Sequence, residues 1–192
     1  VTLFANTAEA SVRWLIAEDS GVGAGRDMWN PRCFFHPDSA NHLYNTCPDS
    51  DNGGVHFGSG VLNHGFALAT DGGAFRGFTV AGIGPIKAGA AWFRALTVYL
   101  TPASNFGDVL AALTQAADDL VGTFPNDPRT GMPSSDMFTA ADAQAIETAL
   151  RAVELDTPGR CGGSDELLSS SAPPTCADST TIFADDFETG AA

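Results

Sequence analysis

Apolar and polar residues alternate in recognisably different ways along this chain. Between Thr2 and about Asp19, the apolar residues Leu3, Phe4, Val12, Trp14, Leu15 and Ile16 stand around a polar break, which predicts a helix end followed by a short extended piece. Residues 20–54 are dense in Gly, Pro, Asn, Asp and Ser, the chemistry of a long loop. Ser59 to Ala69, with Val61, Leu62, Phe66 and Leu68, reads as a helix that stops at the turn Asp71-Gly72-Gly73. From Pro85 to Leu100 the residues Ile86, Ala90, Phe93, Leu96 and Leu100 recur at steps of four, three, three and four, so one helix with a single apolar stripe is expected. Pro102 cannot continue it.

The next segment, Asn105 to Val121, gathers Val109, Leu110, Leu113, Ala116, Ala117, Leu120 and Val121 on one face, with Ser104 or Asn105 as its cap. Thr139 followed by Asp142 has the form of a capping pair and opens a helix through Ile146, Leu150 and Val153. A short strand is expected within Gly77–Ala81. The fold class is therefore mainly α, with a long loop before the first full helix. After Leu155 the composition turns to Pro, Gly, Ser and Thr and then to the string Ile182-Phe183-Ala184-Asp185-Asp186-Phe187-Glu188. Residues 1–157 are expected to form one helical domain. Residues 158–192 read as a Ser/Pro-rich linker and the start of an accessory carboxy-terminal module.

Composition narrows the function classes. Of 192 residues 44% are hydrophobic and 17% charged, a globular balance large enough for one core. Nine basic against 23 acidic residues give a net charge of −14, a field that repels phosphate backbones and anionic lipid surfaces, so neither nucleic acid nor membrane is an expected partner. No apolar run approaches the ~20 residues needed to cross a bilayer. Four cysteines fall as two local pairs, Cys33 with Cys47 and Cys161 with Cys176. Neither pair has the Cys-x-x-Cys spacing of a zinc or redox site. Two disulfides are the favoured reading, each stapling a loop and worth about 3 kcal/mol, in an oxidising and hence extracellular compartment. Four reduced thiols in a cytosolic protein are the alternative.

The densest chemical signal is Asp51-Asn52-Gly53-Gly54-Val55-His56, leading into Phe57-Gly58-Ser59-Gly60. Paired glycines allow a tight turn between a carboxylate and an imidazole. A carboxylate on one ring nitrogen fixes the tautomer, raises the imidazole pKa and leaves the other N–H to donate, which is how an oxyanion stabiliser is built. Taken alone, this spacing marks a structural Asp–His bond more often than a catalytic one. Ser59 is no nucleophile of the Gly-x-Ser-x-Gly kind, because Gly58-Ser59-Gly60 is too short.

This segment, with Ser59-Gly60-Val61 and Asn63 behind it, resembles the part of thermolysin-like zinc metallopeptidases that carries the catalytic histidine and its aspartate. Trp14 to Asp19, Arg26-Asp27-Met28 with Asn30-Pro31, Gly82-Ile83-Gly84, Phe93-Arg94-Ala95-Leu96 and Tyr99 to Phe106 are similar to further family segments, in the family's order, over roughly residues 10 to 155. The resemblance implies the helical carboxy-terminal domain of such an enzyme, secreted and acting on peptide or protein substrates. It also implies roles. His56 would donate to the oxyanion of the tetrahedral intermediate, Asp51 would orient and charge it, and Arg26 would hold a substrate carbonyl.

Zinc is the implied cofactor, yet the four histidines, His36, His42, His56 and His64, include no His-Glu-x-x-His. The zinc ligands are expected outside this chain, in an amino-terminal half that would be its partner, and the chain alone is expected to be inactive. Glu18 matches a calcium ligand of the family, while Arg13 stands where relatives often place an aspartate. His36, His42 and His64 are expected to be ordinary loop or packing residues. The competing reading is a non-catalytic fragment that binds peptides or partner domains.

Overall fold

Residues 13–46 and 51–157 are described by the structure, a computed structural model, with side chains from residue 54 in the second stretch. Cys47, Cys161 and Cys176, and with them both expected disulfides, lie outside the described residues, as does the expected linker and module at 158–192. Cys33 is exposed.

Two short strands open the described chain. β1 (Leu15–Ile16) and β2 (Arg26–Asp27) pair antiparallel, Leu15 opposite Asp27 and Ile16 opposite Arg26. A 3₁₀ turn at Pro31–Phe34 leads into the loop. Helix α1 then runs over Asp51–Asp71. It starts a full two turns before the expected Ser59, so Asp51 and His56 belong to one helix rather than to a loop. The glycine-rich opening concealed it, because glycine weakens helix propensity without forbidding a helix held by tertiary packing. Gly54 nevertheless has φ +79°, so the chain does bend between those two residues. A side chain there would also meet the carbonyl oxygen of Thr46 at 2.7 Å.

Strands β3 (Gly73–Phe75) and β4 (Phe78–Val80) form a hairpin closed by Arg76-Gly77, both at positive φ, the turn that matches strand twist. The expected strand at 77–81 is thus present. Helix α2 (Gly84–Arg94) passes into a π-helical turn at Ala95–Tyr99, and α3 (Phe106–Leu120) and α4 (Ala140–Ala152) follow. Both capping expectations hold: Asn105 and Thr139 each close a capping box, with Asp108 and Asp142 respectively. α3 packs on α4 and on α2, and α1 on α2 and α4.

The core between these helices is rich in alanine. Ala67, Ala88, Ala91, Ala116, Ala117 and Ala149 are fully buried beside Val61, Leu68, Leu113, Phe138, Ile146, Leu150 and Val153. Here the expected stripe of α2 needs correcting. Phe93 and Leu96 are 69% and 65% exposed, and the buried side is Lys87, Ala88, Ala91 and Ala95. Small residues let neighbouring backbones approach closely, and that geometry, rather than side-chain size, decided which face turned inward.

Candidate functional site

The site grows from the way β1 and β2 are moored to α1. Trp14, wholly buried, donates its indole N–H to Asp71 Oδ2 at 2.7 Å, and Arg13 Nη2 reaches Asp71 Oδ1 at 2.6 Å. Asp71 ends α1, so both bonds fasten the first strand to that end of the helix. Gly25 N–H to Ile16 O and Met28 N–H to Trp14 O, each 2.9 Å, extend the fastening to β2. Asp27 Oδ1 then accepts from the backbone N–H groups of Trp29 and Asn30, both at 2.9 Å, an Asx-type turn that leads the chain away.

Held in this way, Arg26 extends back to the first half of α1. Its Nη2 lies 3.5 Å from the carbonyl oxygen of His56, at the long limit of a hydrogen bond. The same carbonyl accepts from Ser59 Oγ at 2.7 Å. His56 itself is exposed, flanked by exposed Val55 and Phe57. Two of the expected site residues, Arg26 and His56, are therefore brought together on one accessible face. Asp51 is the first residue of the same helix, and its side chain is outside the described residues.

Behind that face, the loop after the 3₁₀ turn is clamped against glycines of α1. A Cβ on Gly60 would stand 2.5 Å from Pro37 O and 2.8 Å from His36 Cβ. The His36 ring meets Phe57 edge-on at 5.3 Å. His42 Nδ1 accepts from the Tyr44 N–H at 3.2 Å. His64 Nδ1 lies 2.9 Å from Asp38 O, and its ring is 4.4 Å from Phe75. Burial pulls the His64 pKa below the ordinary histidine value, outweighing the Asp38 carbonyl bond and the carboxylates of Asp38 and Asp27. These three histidines serve packing, loop and turn, as expected.

Among the described residues no group of three or more His, Cys, Asp or Glu side chains could hold a metal ion. Glu18 stands next to Ala17, which has φ +67°. Arg13 is engaged by Asp71. No described helix is long and apolar enough to cross a membrane. Two polar features were not foreseen. One is the Ser59 bond to the His56 carbonyl, whose only sequence signal is a serine three residues after a histidine. The other is Lys87, a buried cation on a helix face that looked merely polar in the sequence.

The family described as thermolysin metallopeptidase, alpha-helical domain, matches residues 1–130, a stretch that includes Arg26, Asp51 and His56 and stops before α4. Bacillolysin from Bacillus caldolyticus is 42% identical over 127 residues, 64% of this chain and 23% of that protein. Thermolysin from Alicyclobacillus acidocaldarius subsp. acidocaldarius is 41% identical over 127 residues, with the same shares of 64% and 23%. Bacillolysin from Bacillus cereus is 40% identical over 114 residues, 57% of this chain and 20% of that protein. The chain thus spans less than a quarter of the length of these curated relatives.

Proposed function

The chain belongs to the thermolysin metallopeptidase family, through its alpha-helical domain, and from that premise we propose that it supplies the substrate-side groups of a secreted zinc metalloendopeptidase. The observation that carries this is the meeting of Arg26 with the backbone of His56 on an exposed face. An imidazole N–H is a good donor to the oxygen that gains charge as a peptide carbonyl becomes tetrahedral, and it is worth most where it is held in place beforehand. His56 has that role in the proposal. Asp51, in the same helix, would orient and charge it. Arg26, with a planar fork of donors, would grip a carbonyl oxygen of the bound peptide and so hold the scissile bond against His56.

Zinc finds no fitting ligand set among the described residues. Its ligands are proposed to come from a part of the protein outside this chain, and the chain by itself is proposed to hydrolyse nothing. Glu18 would give a calcium site one carboxylate only, the others coming from outside the described residues.

The test is His56→Ala in the full-length protein, assayed on a peptide substrate. Removing one such donor is expected to lower kcat about 10²- to 10³-fold with KM nearly unchanged. An unaltered kcat would remove His56 from the mechanism.

A further inference from the structure

We propose that Ser59 is a positioning residue that keeps Arg26 loosely tethered and therefore available to substrate, an inference that rests on the roles given above to Arg26 and His56. A backbone carbonyl has two lone pairs. Inside a helix, the His56 carbonyl offers one to the N–H four residues on. Ser59 Oγ–H at 2.7 Å and Arg26 Nη2 at 3.5 Å converge on what remains.

The two distances decide which donor wins. At 2.7 Å the hydroxyl makes a full hydrogen bond, whereas 3.5 Å is the length at which a guanidinium bond is nearly lost. Arg26 is thus aimed at the site without being committed to it. Its orientation is set by β2 and the Asp27 turn, and its donors are not consumed by α1. A peptide carbonyl then captures the guanidinium without first breaking a strong internal bond.

Without the hydroxyl, that lone pair is vacant and Arg26 closes on the His56 carbonyl. Substrate must then compete with an intramolecular partner. The cost falls on binding rather than on the chemical step, because the substitution alters a contact of Arg26 and leaves the imidazole donor itself unchanged in kind.

Steady-state kinetics of Ser59→Ala in the full-length protein test this. KM is expected to rise about three- to tenfold, the range of one net hydrogen bond, with kcat moving less than about twofold. Ser59→Thr keeps a hydroxyl able to bond the same carbonyl and should restore KM. A crystal structure of Ser59→Ala should show Arg26 Nη2 at about 2.9 Å from His56 O. An unshortened contact overturns the inference, and so does a KM that stays put in Ser59→Ala or rises equally in Ser59→Thr. If His56→Ala leaves kcat unaltered, the proposed function falls, while the contact length in Ser59→Ala still decides the tether.

Discussion

At the scale of single residues, buried imidazoles are the sensitive points. His64 is 5% exposed, and because Asp38 O can only accept, its Nδ1 carries the proton when the ring is neutral. Charging it inside the fold is opposed by burial more than it is helped by the carboxylates of Asp38 and Asp27, so its folded pKa lies below the unfolded value of about 6.5. The unfolded chain therefore binds the extra proton first. The stability linked to neutral His64 is complete above about pH 6.5 and is lost as pH falls below it, through the lower folded pKa. Replacing the ring by an amide, His64→Gln, should remove this slope. Melting temperatures between about pH 7 and pH 5 should fall more steeply for the wild type than for the variant, and parallel curves would show that His64 is not the titrating group.

Elements are held by their ends. α4 begins at a capping box in which Asp142 Oδ2 accepts from Thr139 N–H at 2.6 Å and Thr139 Oγ1 at 2.7 Å, and the same oxygen takes Lys87 Nζ at 2.9 Å. Lys87 also meets Asp136 at 3.0 Å and is only 6% exposed. Lys87 thus joins the first turn of α2 to the start of α4, through Asp142, and to the connection after α3, through Asp136. Asn105→Ala, which removes a cap bonded only within its own helix turn, should cost about 1 kcal/mol. Lys87→Ala should cost about 1–3 kcal/mol, because the half-buried Asp142 carboxylate loses its cation. A double-mutant cycle between Lys87 and Asp142 in denaturant unfolding should return a coupling clearly above zero, and additive losses would show that the ion pair contributes nothing.

These same elements show what could be read in advance. α3 and α4 were legible because a cap, an acidic third residue and an apolar stripe agree in each. Arg26 and His56 were singled out by the resemblance of their segments to a family's motifs, whereas the approach of Arg26 to the His56 carbonyl, 30 residues away in the chain, had no signal in the spacing. The start of α1 was hidden by Asn52-Gly53-Gly54, since its stability comes from packing against the loop rather than from propensity. The buried face of α2 was hidden because alanines form it, and a hydrophobic pattern weights large side chains over the small ones that let helices touch. Lys87 had no signal, since its partners are 49 and 55 residues away in the chain, as its pairing with Asp136 and Asp142 shows.

At the scale of the whole molecule, charge and apolar surface oppose each other. A net charge of −14 keeps copies apart, while α2 and its π-helical extension turn Phe93, Leu96 and Val98 to the outside. Such a strip favours association as soon as the charge is screened. The Debye length falls from about 30 Å at 0.01 M salt to about 8 Å at 0.15 M, below the separation of many surface charges. Light scattering by the chain should therefore rise with salt over that range. Phe93→Gln combined with Leu96→Gln should abolish the rise. Both side chains are mostly exposed, so the double variant should unfold within about 0.5 kcal/mol per site of the parent. A large loss of stability would mean that the strip is packed against something within the fold, and a salt response equal to the parent's would mean that the association has another source.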